Sequence, residues 1–152
     1  MTEVIRTKHS DYTNDLKRSG LKNTKHRTSI LAILEQSDQP IAAEKIYNDL
    51  QTKGVSVNLS TVYRTLDSLN EKCLVNKLNI SGDGRTLYEF NHKVHRHYLL
   101  CLECKTIIPI EDCPLKNYEQ VVEEKTNFKV EGHNLNIYGY CLACQKKSTP
   151  GV

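Results

Sequence analysis

The stretch Asn58–Glu71, NLSTVYRTLDSLNE, decides how the first half of the chain folds. Leu59, Val62, Leu66 and Leu69 recur at helical spacing and make one apolar face. Asn58 or Ser60 supplies the N-cap. At ~100° per residue, Arg64 lies opposite the leucines, with Ser60 beside it and Thr61 and Tyr63 flanking. The helix therefore buries its leucines and shows Ser, Thr, Tyr and Arg outward. Upstream, TKHRTSILAIL opens with Thr24 as a cap and carries Ile30, Leu31 and Leu34 on one side. After the break DQP, the segment IAAEKIYNDL places Ala43, Ile46, Tyr47 and Leu50 at i, i+3, i+4 and i+7, and Gly54 closes it. Downstream, LVNKLNI and RTLYEF are two strands joined by the turn SGDG. Three short helices followed by a β-hairpin form the winged helix-turn-helix layout, which presents its third helix to a major groove.

Past Asn91 the pattern changes to strands around one helix. HRHYLLC and TIIPI pair as strands, and PLKNYEQVVEEK is a helix with Pro114 at its first position and Leu115, Tyr118 and Val122 on one face. FKVEGHNLNIYGYC is a third strand, and the polar tail QKKSTPGV frays. The expected class is α+β: a winged-helix domain over 1–90, a hinge at 91–94, and a small α/β domain over 95–152.

At 152 residues the length allows one medium domain or two small ones. A chain 38% hydrophobic and 26% charged has an ordinary globular composition, and no Trp with two Phe points to modest cores rather than one large one. The opening MTEVIRTKHSDYTNDLKRSG has no apolar h-region, and no apolar run approaches the roughly 18 residues of a membrane span. A cytoplasmic protein with no membrane partner is expected. A net charge of +3 is a weak sign of a nucleic-acid partner. The first 27 residues say more, with seven basic side chains (Arg6, Lys8, Lys17, Arg18, Lys22, Lys25, Arg27) against Glu3, Asp11 and Asp15. Such a basic end can meet phosphates, or be a solvated arm.

In a reducing compartment, spaced cysteine pairs are metal ligands or redox groups before they are disulfides. CLEC (Cys101, Cys104) and CLAC (Cys141, Cys144) each grip one ion with two thiolates, and together they complete a closed tetrahedron suited to structural Zn²⁺. The 36 residues between the pairs exceed the roughly 15–20 of a zinc ribbon, so the gap holds folded structure. The zinc would staple the first strand of this domain to its last. Within HRHYLLC, His95 and His97 project from one face, because strand residues i and i+2 do. His133 lies eight residues before Cys141 and is brought back toward them by that staple. Three histidines thus suggest a second metal site, with Cys113, Glu111 or Glu119 as the fourth ligand. A metalloenzyme would need an open metal position and an acid or base, and neither HExxH nor HxE…PCxxC is present. A zinc-trafficking protein and a thiol oxidoreductase are the non-regulatory alternatives.

LSTVYRTLDSL, HRHYLLCLEC and GHNLNIYGYCLAC, in this order over roughly Gly20–Cys144, resemble the ferric uptake regulator (Fur) family. The resemblance implies a dimeric, metal-responsive transcriptional repressor with a C-terminal dimerisation domain and a pseudo-palindromic operator in double-stranded DNA. It implies that Tyr63 and Arg64, with Ser60 and Thr61 beside them, meet bases. Arg27 and the basic residues before it, Lys25 among them, would approach the backbone or minor groove, and Cys101, Cys104, Cys141 and Cys144 would hold zinc. Departures from the family pattern accompany it. The family's hinge-proximal ligands fall on Pro40, Arg96 and Tyr98, leaving Glu89, with His92 an extra candidate. The neighbouring site retains His95, His97 and His133, but its helical acid falls on Lys116, which turns attention to Cys113. A His-rich site with a thiolate favours Zn²⁺ over Fe²⁺ or Mn²⁺ as the second, regulatory metal. The run IEDCP is similar to the zinc-uptake members of the family.

Overall fold

In the computed structural model, residues 12–79, 84–92 and 95–148 are described, and the chain divides into two compact units, Met1–His92 and Lys93–Val152. The basic residues Arg6 and Lys8, the turn residues Ser81–Asp83, the hinge residues Lys93 and Val94, and the last four residues of the tail lie outside the described set.

The first unit runs α1 (Thr13–Arg18), α2 (Lys25–Gln36), β1 (Ile41–Ala42), α3 (Ala43–Thr52), α4 (Leu59–Glu71), β2 (Val75–Asn79) and β3 (Thr86–Phe90). Helices α2 and α4 start where their caps stand. Thr24 Oγ1 accepts from the Arg27 N–H at 3.3 Å, and Asn58 Oδ1 accepts from the Thr61 N–H at 2.8 Å, so Asn58 rather than Ser60 caps α4. Helix α3 stops at Gly54, whose φ of +74° lets its own N–H reach the Gln51 carbonyl and that of Val55 reach Leu50. Helix α4 ends the same way at Cys73, which holds φ +58° without being glycine. The apolar faces meet in one core: Ile30, Leu31 and Leu34 of α2, Ala43, Ile46 and Leu50 of α3, and Val62, Leu66 and Leu69 of α4. Each buried Ile, Leu or Val among them contributes roughly 1.5–3 kcal/mol by leaving water.

Two features depart from the sequence expectation. Thr13–Arg18 is a helix rather than a polar arm, anchored by buried Leu16 and by the Tyr12 hydroxyl, which donates to the Glu35 carboxylate. Burial and that carboxylate together push the Tyr12 phenol well up from its ordinary value. The wing also gains a third strand, because β1 pairs with β3 (Ile41↔Tyr88), giving the order β1-β3-β2.

The second unit contains β4 (His97–Cys101), β5 (Ile107–Ile110), α5 (Lys116–Thr126), β6 (Asn136–Gly139) and α6 (Leu142–Ser148). Strand β4 is central, antiparallel to β5 and parallel to β6. Three boundaries differ from expectation. Helix α5 starts at Lys116, with Pro114 in the turn ahead of it instead of at the first helical position. The third strand is confined to Asn136–Gly139 because regular pairing needs a partner, and β4 begins only at His97. The tail starts as a helix through Ser148 rather than fraying from Gln145. No residue of α5 is buried, and Tyr118, on the face its spacing marks as apolar, is 60% exposed.

Candidate metal centres and recognition helix

Parallel pairing of β4 with β6 sets Cys101 opposite Gly139, so the chain leaving β6 delivers Cys141 beside the end of β4. A tight turn at Lys105 (φ +62°), closed by its N–H on the Cys101 carbonyl, folds Cys104 back. The first turn of α6 adds Cys144. The four Sγ atoms lie within 4.8 Å of one another, and all six cysteines of the chain are free thiols. The Cys104–Cys141 sulfur separation is 3.7 Å, against about 3.8 Å for two thiolates on a tetrahedral zinc. Cys101 accepts the Cys141 backbone N–H at 3.3 Å, and this bond is the main cause lowering its thiol to about 6. Cys144 is pushed up to about 12, first by its contact with Cys141. Four crowded thiols divide their protons in this way; a dication would stabilise all four as thiolates. The donor set therefore fits a closed, structural metal site.

The histidines gather at the opposite end of the same strand pair. Carried three residues back, the β4–β6 register puts His133 across from His95, although neither lies within a strand. The Nε2 atoms of His95 and His133 are 2.7 Å apart, and those of His97 and His133 are 3.0 Å apart. Cys113, in the turn between β5 and α5, brings its sulfur to 3.2 Å from His97 Nε2 and 3.1 Å from His133 Nε2. His97 is 1% exposed, with its Nδ1 buried and lacking a hydrogen-bond partner. Burial first, then His95 and His133, hold its pKa below the ordinary imidazole value. The Glu119 carboxylate from α5 meets His133 Nδ1; a carboxylate only accepts, so Nδ1 donates in that contact and Nε2 is the ring atom left facing the cluster. Ligands of a tetrahedral zinc stand about 3.4 Å (N to N) and 3.6 Å (N to S) apart, slightly wider than this cluster. Three imidazoles and a thiol converging through lone pairs fit a divalent ion. Glu119 thus stands behind a ligand rather than among the converging atoms, and exposed Glu111 is outside the cluster. Among the described residues these two groups are the ones able to hold a metal. Glu89 of the hinge-proximal set instead accepts from Asn76 Nδ2 at 3.3 Å.

On α4, Ser60, Tyr63 and Arg64 are exposed and Thr61 is half-buried, while Val62, Leu66 and Leu69 are buried. The Tyr63 hydroxyl donates to Glu44 Oε1 of α3 at 2.5 Å, a partner the local spacing of either helix gave no sign of. Lys25 is exposed in the first turn of α2. Half-buried Arg27 donates from Nη1 to the Lys22 carbonyl at 2.8 Å.

The sequence pattern of the Ferric uptake regulator family matches residues 18–138. The chain belongs to the ferric uptake regulator family. It is 37% identical over 131 residues to the ferric uptake regulation protein of Legionella pneumophila, covering 86% of this chain and 96% of that one. The crystal structure of the Vibrio cholerae ferric uptake regulator superposes with a TM-score of 0.77 at 32% identity, over 86% of this chain and all of the other. The Helicobacter pylori regulator, described with three functional metal-binding sites, gives 0.77 at 29% identity over 90% of each chain. Members of this family are metal-responsive transcriptional regulators that bind DNA as dimers; they are not enzymes. No helix among the described residues is long and apolar enough to cross a membrane.

Proposed function

We propose that this Fur-family chain is a zinc-responsive repressor of metal-uptake genes, acting in the cytoplasm as a homodimer on a pseudo-palindromic operator. The observation that carries the reading is the convergence of His95, His97, His133 and Cys113, three imidazoles and a thiol with no carboxylate among them. That donor set favours Zn²⁺ over the harder Fe²⁺ and Mn²⁺. Cys101, Cys104, Cys141 and Cys144 would hold a second, structural zinc. A divalent ion at the histidine site would supply the charge that makes four facing lone pairs attractive. His95, His97, Cys113 and His133 would then tie together the start of β4, the turn before α5 and the segment before β6. By linkage, these residues favour a DNA-competent arrangement to the extent that they hold the ion better in it. A difference of a few kcal/mol turns a weak binder into an operator binder. Tyr63 and Arg64, with Ser60 and Thr61 beside them, would read bases, and Lys25 and Arg27 would meet phosphates.

The test is operator binding with Zn²⁺, Fe²⁺ and Mn²⁺ each titrated at buffered free concentration. Zinc is expected to act at the lowest free level. His97→Ala should keep the four-cysteine zinc and the dimer, lose one metal per chain, and make affinity insensitive to added metal. A full metal response in His97→Ala would overturn the histidine site as the switch. Cys113→Ser should sharply weaken zinc binding there; unchanged affinity would remove Cys113 from the ligand set. The names of relatives such as the Legionella pneumophila protein favour a second reading, with iron as the sensed metal. Activation by Fe²⁺ at its buffered level, with zinc inert at its own, would establish it.

A further inference from the structure

Tyr63 is the one large apolar or aromatic side chain of the N-terminal unit that is substantially exposed among the described residues, and it does not point freely into solvent. Its hydroxyl is committed to Glu44, in the first turn of α3, at 2.5 Å. The contact lowers the Glu44 carboxyl and raises the Tyr63 phenol, so at neutral pH the carboxylate is ionised and the phenol keeps its proton. A phenol has one O–H. With that proton given to a carboxylate, what remains toward a ligand is a lone pair on oxygen.

We infer that Glu44 is a positioning and specificity-determining residue, which fixes Tyr63 as a hydrogen-bond acceptor so that α4 selects an amino-bearing base at the position Tyr63 meets. The inference rests on the proposal that α4 reads bases. In the major groove, adenine N6 and cytosine N4 carry amino donors, whereas guanine O6 and N7 and thymine O4 are acceptors. An oxygen whose proton is held elsewhere accepts from the first pair and is repelled by the second. A free phenol rotates to donate or accept and so tells the two classes apart poorly. The Glu44 charge adds a second effect. It sits beside the helix proposed to enter the groove, where it opposes phosphates of any sequence and weakens random binding.

The experiment selects binding sites from a random-sequence duplex pool with the metal-loaded full-length dimer, comparing wild type with Glu44→Ala, Glu44→Gln, Tyr63→Phe and Arg64→Ala. Wild type is expected to prefer adenine or cytosine about five- to tenfold at one position per half-site. Tyr63→Phe and Glu44→Ala should both reduce that preference to about twofold or less at the same position, leaving the others unchanged. Glu44→Gln keeps an acceptor for the phenol. It should retain the preference while binding random duplex about threefold more tightly at low salt. A Glu44→Ala motif identical to wild type, or weakened evenly at every position, would overturn the inference and leave only an interhelical strut. Arg64→Ala separates the two levels. If it alters the motif while Glu44→Ala does not, only this inference falls; if it too leaves the motif unchanged, base reading by α4 falls and takes the inference with it.

Discussion

In Met1–His92, fifteen side chains from Tyr12 to Tyr88 form one buried cluster. Among the described residues of Lys93–Val152 the buried set is Tyr98, Leu100 and Ile107 together with His97, Cys101 and Cys144, so half of it is potential ligand. The surfaces differ in the opposite sense. Of the ten large hydrophobic residues left exposed among the described residues, nine belong to the second unit, including Tyr118, Phe128, Tyr140 and Leu142. The first unit obtains its stability from packing within one chain. The second, too small for a core of that kind, carries potential metal ligands inside and, in a family of dimers, apolar side chains outside that a second copy would cover.

The strongest way to break this comparison is Cys141→Ser. Structural zinc contributes on the order of 10 kcal/mol to small domains, so the C-terminal unit should unfold and dimers should vanish. The helical circular dichroism and cooperative melting of the N-terminal unit should survive. A folded, zinc-free dimer would show that the second unit does not depend on its thiolates. The converse change is Leu66→Ala, at a fully buried position of α4. It should cost about 2–5 kcal/mol in denaturant unfolding of the first unit while metal content and dimerisation stay as they are. Loss of the dimer there would mean that the units are not energetically separate.

Two smaller effects sharpen the picture. Glu119→Ala removes the carboxylate behind His133 and should lower zinc affinity at the histidine site about 10–100-fold, with the four-cysteine site untouched. Unchanged affinity would mean that His133 is held by its backbone alone. Cys73→Gly relieves a left-handed backbone at the end of α4 and should stabilise the first unit by about 0.5–1 kcal/mol. A neutral or destabilising result would assign the thiol a role in packing.

These contrasts also explain what could be read from sequence. Helices α2, α3 and α4 were legible because caps and apolar spacing agreed, as at Thr24, Asn58 and Gly54. Helix α1 was not, since six residues with only Leu16 buried carry no periodic signal. Strand β1, two residues long, exists only through β3. The third strand was drawn too long because alternation cannot reveal where its partner begins. At the candidate sites, the residue types stood out by local spacing. The partnerships of Glu119 with His133 and of Glu44 with Tyr63 span 14 and 19 residues, respectively, and only the fold brings them together.

The parallel register of β4 and β6 has one more consequence. A single offset places Cys101 near Cys141 at one end and His95 opposite His133 at the other, so both candidate metal sites hang on the same phase. Deleting one residue between 134 and 140 could not be absorbed by sliding: restoring the cysteines would misalign the histidines, and restoring the histidines would misalign the cysteines. Length in that segment is therefore under a constraint its side chains do not advertise.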